Sequence, residues 1–212
     1  MIKARPARFI SFEGGEGSGK SVQCRALAQT LAERGIEVVS TREPGGTPGA
    51  EAIRTLLVTG AQARWTPLSE ALLFNAARAD HLERKIRPAI HAGKWVVCDR
   101  FADSTRAYQG AAQGLAQDML VALDEITLGE WRPDLTFILD VPVEIGLARA
   151  QGRGGNENRY EGFDTAFHER LRAAYLAIGK ADPARCIVVD GTRAPDEITA
   201  DIVRIVETRF AG

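Results

Sequence analysis

The sequence predicts an α/β fold, a five-stranded parallel sheet flanked by helices. Two patterns and one motif point to it. Five short runs rich in Val, Ile and Phe read as strands: Arg8 to Phe12, Glu37 to Ser40, Trp95 to Cys98, Thr136 to Val141 and Cys186 to Val189. They show little polar alternation, which is how strands covered on both faces read. Helical periodicity fills the intervals, and strands alternating with helices imply a parallel sheet with right-handed crossovers. Between the first strand and the first helix stands Gly14-Gly15-Glu16-Gly17-Ser18-Gly19-Lys20-Ser21, which fits G-x-x-x-x-G-K-[ST].

The elements follow in order. Phe9-Ile10-Ser11-Phe12 reads as a buried strand, and Val22 to Leu31 reads as the first helix. A strand, a glycine loop and a helix N-terminus surround an anion with backbone N–H groups and the positive end of a dipole. After the second strand, Glu43-Pro44-Gly45-Gly46-Thr47-Pro48-Gly49 reads as a rigid, tightly turned segment. Pro67 after Thr66 is a helix start with proline in the first turn, and an apolar face beginning at Leu68 and Leu72 runs toward Ile90. The third strand ends on Asp99-Arg100, and Asp103 to Gly110 reads as a polar loop and helix start. Further helices are expected near Leu115 to Leu128, Val143 to Ala150, Asp164 to Ala177 and Asp196 to Phe210. Gln151 to Glu161 is polar and Gly-rich; it holds Arg153 and Arg159, and Arg149 lies just before it. It reads either as a solvated loop or as a lid carrying arginines.

The whole chain narrows the function classes. Its 212 residues suit one domain over 1–212 with a core large enough to need no disulfides. The net charge of −1 argues against bulk binding to nucleic acid or to anionic membranes. No segment approaches an apolar membrane span, and Met1 to Pro6 is a short polar lead-in with no secretory signal after it. Cys24, Cys98 and Cys186 are far apart and show no paired spacing, so a reduced, cytoplasmic compartment is expected and each reads as a small packed residue.

The chemistry concentrates at a few positions. In the phosphate loop, Lys20 would reach the outer phosphates and the Ser21 hydroxyl would sit on Mg²⁺. Gly14, Gly15, Gly17 and Gly19 let the backbone turn and approach phosphate closely. Asp99 at a strand's carboxyl end can hold Mg²⁺ directly or through water, and Arg100 beside it can clamp a second phosphate. Phe74 and Arg78 lie four apart on one helix face, an aromatic ring and a donor fork that could stack on a base and read its edge. No Asn/Thr-Lys-x-Asp guanine-reading element follows Thr136 to Val141, and His81, His91 and His168 suggest no Ser–His–Asp arrangement. A regulatory nucleotide switch is the rival from another class.

Taken together, Phe12-Glu13-Gly14 through Lys20-Ser21, Thr41-Arg42-Glu43-Pro44-Gly45-Gly46-Thr47, Leu73-Phe74 with Arg78, Asp99-Arg100-Phe101 with Ser104, Ala107-Tyr108-Gln109-Gly110 and Pro133-Asp134-Leu135-Thr136 resemble the thymidylate kinase family. The motifs stand in family order and cover nearly the full chain. The resemblance implies a P-loop nucleoside monophosphate kinase fold with a lid over roughly 149–161. It implies transfer of the γ-phosphoryl of ATP to dTMP with Mg²⁺, in a homodimer. A P-loop kinase for another (deoxy)nucleotide is the nearest alternative.

The resemblance also suggests roles. Phe74 stacks on thymine and Arg78 meets the base edge. Arg100 grips the acceptor phosphate, with Ser104 close by. Thr105 and Gln109 help read the base, and Tyr108 stands against the ribose 2′ position. Glu16 sits near the sugar 3′-hydroxyl, and Glu43, Pro44 and Arg54 shape the monophosphate pocket. The phosphate loop from Gly14 through Ser18 and Gly19 to Ser21, with Arg149, would hold ATP. Some relatives carry an arginine where this chain has Gly17. The bacterial-type members place catalytic arginines in the lid instead, so Arg153 is expected to reach the transferring phosphoryl, with Arg149 next and Arg159 the remaining candidate. The loop Asp190-Gly191-Thr192 is a candidate for holding adenine. Because the acceptor is a phosphate monoester with a second pKa near ~6, no strong general base is needed.

Overall fold

The computed structural model describes residues 6–152 and 159–210. Its centre is a sheet of five strands in the order β2-β3-β1-β4-β5. The strands are β1 (Phe9–Glu13), β2 (Val38–Arg42), β3 (Trp95–Asp99), β4 (Leu135–Asp140) and β5 (Cys186–Asp190). Every pairing is parallel. The expected α/β class, strand number and parallel sense are what the structure has; the strand ends move by one or two residues.

Both faces of the sheet are covered, which is why the strands lack polar alternation. On one face Ile10, Phe12, Val97, Leu135 and Phe137 pack against α1 (Lys20–Glu33) and α9 (Pro195–Phe210) through Leu27, Leu31, Ile198 and Ile202. Side chains alternate along a strand, so Phe9, Val96 and Cys98 point to the other face. There they meet Leu82, Ile86, Phe101 and Leu128. Ile138 lies in a further cluster with Tyr108, Leu171 and Tyr175. Cys24, Cys98 and Cys186 are all free and buried, as small packed residues.

The remaining helices are α2 (Pro48–Val58), α3 (Pro67–His81), α4 (Arg87–His91), α5 (Ala102–Thr105), α6 (Gln117–Thr127), α7 (Val143–Gln151) and α8 (Thr165–Ala181). Local chemistry starts several of them. Thr66 and Asp164 cap α3 and α8 by accepting from Ser69 N–H at 3.2 Å and Phe167 N–H at 2.7 Å. The single helix expected from Pro67 toward Ile90 is α3 and α4 joined by a π-helical turn, Leu82–Ile86. Pro88 explains the interruption: it lacks an N–H, and its ring would clash with the carbonyl four residues back. Two helical segments differ from the sequence reading. α2 occupies residues after the Gly45-Gly46 turn, started by Thr47 as N-cap and Pro48 in its first turn. Asp103 to Gly110 is wholly helical, α5 running into a π-helical stretch Arg106–Ala112.

Candidate active site

The site stands at the carboxyl ends of β1 and β3, where ligands gather in open parallel sheets. Phe12 pairs with Asp99 across these strands, so the phosphate loop and the Asp99-Arg100 pair leave the sheet side by side. Arg100 N–H donates to Phe12 O at 2.8 Å, which ties the two loops at their roots.

The loop's own conformation requires glycine. Gly17 has φ +66°, and a Cβ there would lie 1.9 Å from the Gly146 carbonyl oxygen of α7. Nor does Gly146 have room for a side chain, since its Cβ would lie 2.5 Å from Glu16 O. The loop and α7 thus touch backbone to backbone, and position 17 has no room for a side chain. Gly19 forms the N-cap of α1 with no side-chain cap, so the first N–H groups of that helix stay available to an anion.

Lys20 folds back on this loop. Its Nζ donates to Gly15 O at 2.6 Å and Ser18 Oγ at 3.2 Å. Burial, with Arg100 nearby, brings its ammonium pKa down to about 8. Ser21 Oγ donates to Asp99 Oδ2, so the two expected Mg²⁺ ligands are already in contact. Among the described residues no group of three or more His, Cys, Asp or Glu could hold a metal by itself. Two oxygen ligands beside a phosphate loop suit Mg²⁺, which keeps waters and shares phosphate oxygens.

Arg100 is the centre of the second half. It holds φ 69°, a conformation uncommon outside glycine. Its Nη1 donates to Gly14 O at 3.0 Å, Ser104 Oγ at 3.2 Å and Tyr175 OH at 3.1 Å. Nη2 donates to Glu16 Oε1 at 3.1 Å and Tyr108 OH at 2.9 Å. Tyr108 OH donates to the same Glu16 oxygen at 2.5 Å. Glu16 of the phosphate loop and Arg100, Ser104 and Tyr108, spaced four apart along one segment, are therefore one hydrogen-bonded cluster.

A buried acid supports that cluster. Glu13 accepts from Phe101 N–H at 2.7 Å, Ser104 Oγ at 2.6 Å and Tyr175 OH at 3.3 Å. Burial first, then the Asp103 carboxylate, pushes its pKa up to about 7. Sequence reasoning gave Glu13 and Tyr175 no role. Glu13 had a signal, an acid on a buried strand directly before the glycine loop. Tyr175 had none, being one of several apolar residues along α8.

The residues expected to meet the base also sit in buried hydrogen-bonded and aromatic clusters. Arg78 is 1% exposed. Its Nε donates to Glu43 Oε2 at 2.8 Å, Nη1 to Asn75 Oδ1 at 3.3 Å, and Nη2 to Phe101 O at 3.3 Å and Thr105 Oγ1 at 3.0 Å. A guanidinium has five donors, so one Nη1 hydrogen has no hydrogen-bond partner among the described residues. Glu43 is held in turn by His81, 3.0 Å away at Nδ1. The Glu43–Pro44 bond is cis, and Arg54 Nη1 donates to Pro44 O at 2.7 Å. Phe74 packs near Tyr160, with ring centroids 6.4 Å apart, and Gln109 Nε2 donates to Glu70 Oε2 at 2.9 Å.

Of the three arginines expected in the lid, two lie among the described residues. Arg153 lies outside the described residues. Arg149 Nη1 donates to Gly191 O at 2.8 Å and Nη2 reaches Thr192 O at 3.4 Å, joining it to the loop expected beside adenine. Arg159 is 3% exposed and is held by Leu57 O at 3.0 Å, Ala61 O at 3.0 Å and Gln62 O at 2.6 Å, and by the Glu70 carboxylate. It ties the chain at residue 159 to the end of α2 and the turn after it.

Comparison with known proteins identifies the family. The thymidylate kinase family model matches residues 12–202. A thymidylate kinase of Caulobacter vibrioides is 56% identical over 202 residues, spanning 95% of this chain and 97% of its own. One of Dinoroseobacter shibae is 50% identical over 199 residues, spanning 94% and 96%. The crystal structure of thymidylate kinase from Ehrlichia chaffeensis superposes with a TM-score of 0.77 at 36% identity, covering 94% of this chain and 98% of that one. With a phosphate loop hydrogen-bonded through Glu16 to Arg100 and Tyr108, this sheet, and these relatives over nearly its full length, the chain belongs to the thymidylate kinase family.

Proposed function

We propose that this protein transfers the γ-phosphoryl of ATP to dTMP, giving dTDP and ADP. The observation that carries the reading is the Glu16–Arg100–Tyr108 cluster, which joins the donor's phosphate loop to the acceptor's side of the site. Two anions must meet there, so catalysis is positioning and charge neutralisation. Lys20 exchanges its two loop oxygens for donor phosphate oxygens. Arg100 exchanges protein hydrogen bonds of its fork for acceptor phosphate oxygens, and Arg153 in the lid supplies further positive charge. The acceptor phosphate is largely an anion at neutral pH and attacks without a protein base. Ser21 and Asp99 would hold Mg²⁺, which when bound neutralises phosphate charge.

Phe74 stacks on the thymine, and the free Nη1 hydrogen of Arg78 donates to the base edge beside Thr105 and Gln109. Tyr108, fixed on Glu16, fills the ribose 2′ side, and Glu16 takes the 3′-hydroxyl. Glu43, Pro44 and Arg54 shape the monophosphate end. Arg149 with the Gly191-Thr192 turn offers a planar platform for adenine. The whole is one kinase domain over 1–212 with its lid near 149–161, cytoplasmic and homodimeric. Support for a dimer comes from apolar side chains left outside on α3 and α6: Leu72, Met119, Val121 and Ile126, the last 81% exposed. No helix among the described residues is long and apolar enough to cross a membrane.

A coupled ADP-release assay across dTMP, dUMP, dCMP, dGMP and AMP tests the reading. Turnover highest with dTMP is expected. Equal or greater turnover with another monophosphate, or acceptor-independent hydrolysis alone, would overturn it.

A further inference from the structure

Glu70 is a carboxylate of α3 that is 1% exposed and has no task in the phosphoryl transfer. Its Oε2 accepts from Gln109 Nε2, Gln113 Nε2 and Tyr160 OH, each at 2.9 Å. The buried guanidinium of Arg159 closes on Oε1. A carboxylate paired with a guanidinium only accepts hydrogen bonds. The side-chain amide of Gln109 therefore has one orientation. Its NH₂ must face Glu70, and its carbonyl Oε1 must face away as a fixed acceptor. Among the described residues no hydrogen bond engages that oxygen.

We propose that Glu70 is a positioning residue for pyrimidine selectivity, acting by locking the Gln109 amide with its acceptor toward the base. The inference rests on the dTMP reading above. Locked Gln109 offers a lone pair, and locked Arg78 offers a hydrogen. That pair complements a base whose N3 carries a hydrogen and whose C4 carries an oxygen, as in thymine and uracil. Cytosine reverses both groups: its N3 is an acceptor and its C4 amine a donor. A site with fixed polar groups then rejects cytosine because those groups are left opposed or unpaired. Arg159 contributes by holding Glu70, so the end of the lid and the base reader share one buried carboxylate.

Glu70→Gln keeps the shape but can turn either an oxygen or an NH₂ toward Gln109, which frees that amide to flip. The ratio of kcat/KM for dTMP over dCMP is expected to fall about 10-fold or more. The dTMP over dUMP ratio, which reports only the 5-methyl group, should stay at its wild-type value. Gln113→Met removes a different donor from the same oxygen and should leave both ratios unchanged. A preserved dTMP over dCMP ratio in Glu70→Gln, or an equal fall in Gln113→Met, overturns the proposal. Should Glu70→Gln fail to fold, the wild-type enzyme decides. The N3-methyl analogue of dTMP should bind at least about 10-fold less tightly than dTMP itself, and equal affinity refutes the fixed acceptor. A wild-type enzyme that does not prefer dTMP at all refutes the underlying activity instead.

Discussion

Replacing Gly17 by alanine tests the contact between the phosphate loop and α7. Two costs fall together there. The first is conformational: φ is +66°, and a left-handed residue with a Cβ costs roughly 1–2 kcal/mol. The second is steric: the new Cβ would lie 1.9 Å from Gly146 O, a backbone atom that cannot rotate away. Overpacking of this kind costs typically about 1–3 kcal/mol, so the sum is on the order of 2–5 kcal/mol. Gly19 is the matched control. Its φ is +94°, yet a Cβ there would meet nothing within 4 Å, leaving mainly the conformational cost. In a chain of this length each kcal/mol lowers Tm by about 2–4 °C. The two variants differ by the steric cost of about 1–3 kcal/mol, so calorimetry without nucleotide should show Gly17→Ala melting at least about 2 °C below Gly19→Ala. Equal melting temperatures for the two variants would refute the close backbone approach.

Three further outcomes follow from the same site. Phe74→Ala should weaken dTMP binding by about 10- to 100-fold, the worth of one base–aromatic stack, and unchanged dTMP affinity in titration calorimetry would count against it. Arg153→Ala should lower turnover by roughly 10³-fold while dTMP affinity moves little, as for an arginine acting on transition-state charge; comparable dTMP-dependent turnover would remove that role. Glu13 gives a pH test. Its folded pKa is raised to about 7 from an ordinary 4.5, so between those values the folded protein binds more protons than the unfolded chain. Stability from this group therefore falls as pH rises from about 4.5 to 7. In the difference between wild-type and Glu13→Gln melting profiles this loss should appear over that window, and parallel profiles would contradict it.

The phosphate loop, the strand-end Asp99-Arg100 and the Phe74/Arg78 face were legible because each is a local pattern. Helix α2 was not read, since the glycines at 45, 46 and 49 announce a turn more loudly than Thr47 and Pro48 announce a helix. The π-helical stretch Arg106–Ala112 was similarly hidden behind residues that also suit a polar loop. Glu70, Glu13 and Tyr175 carried too little local signal to be assigned roles. Arg159 reads as a lid arginine, but the carbonyls and the carboxylate that hold it lie 89 and more residues away in the chain.

By itself the sequence determined that a phosphate-binding loop sits between a buried strand and a helix, in a parallel sheet whose strand ends carry an acid and an arginine. Those are matters of spacing and periodicity, which the chain expresses within a dozen residues. Only the tertiary structure decided which buried charge holds which. It set Arg100 on Glu16, Arg78 on Glu43 and Arg159 on Glu70. The physical reason is that a charge removed from water must find a partner, and the nearest one in space is chosen by how helices cross the sheet, not by distance along the chain.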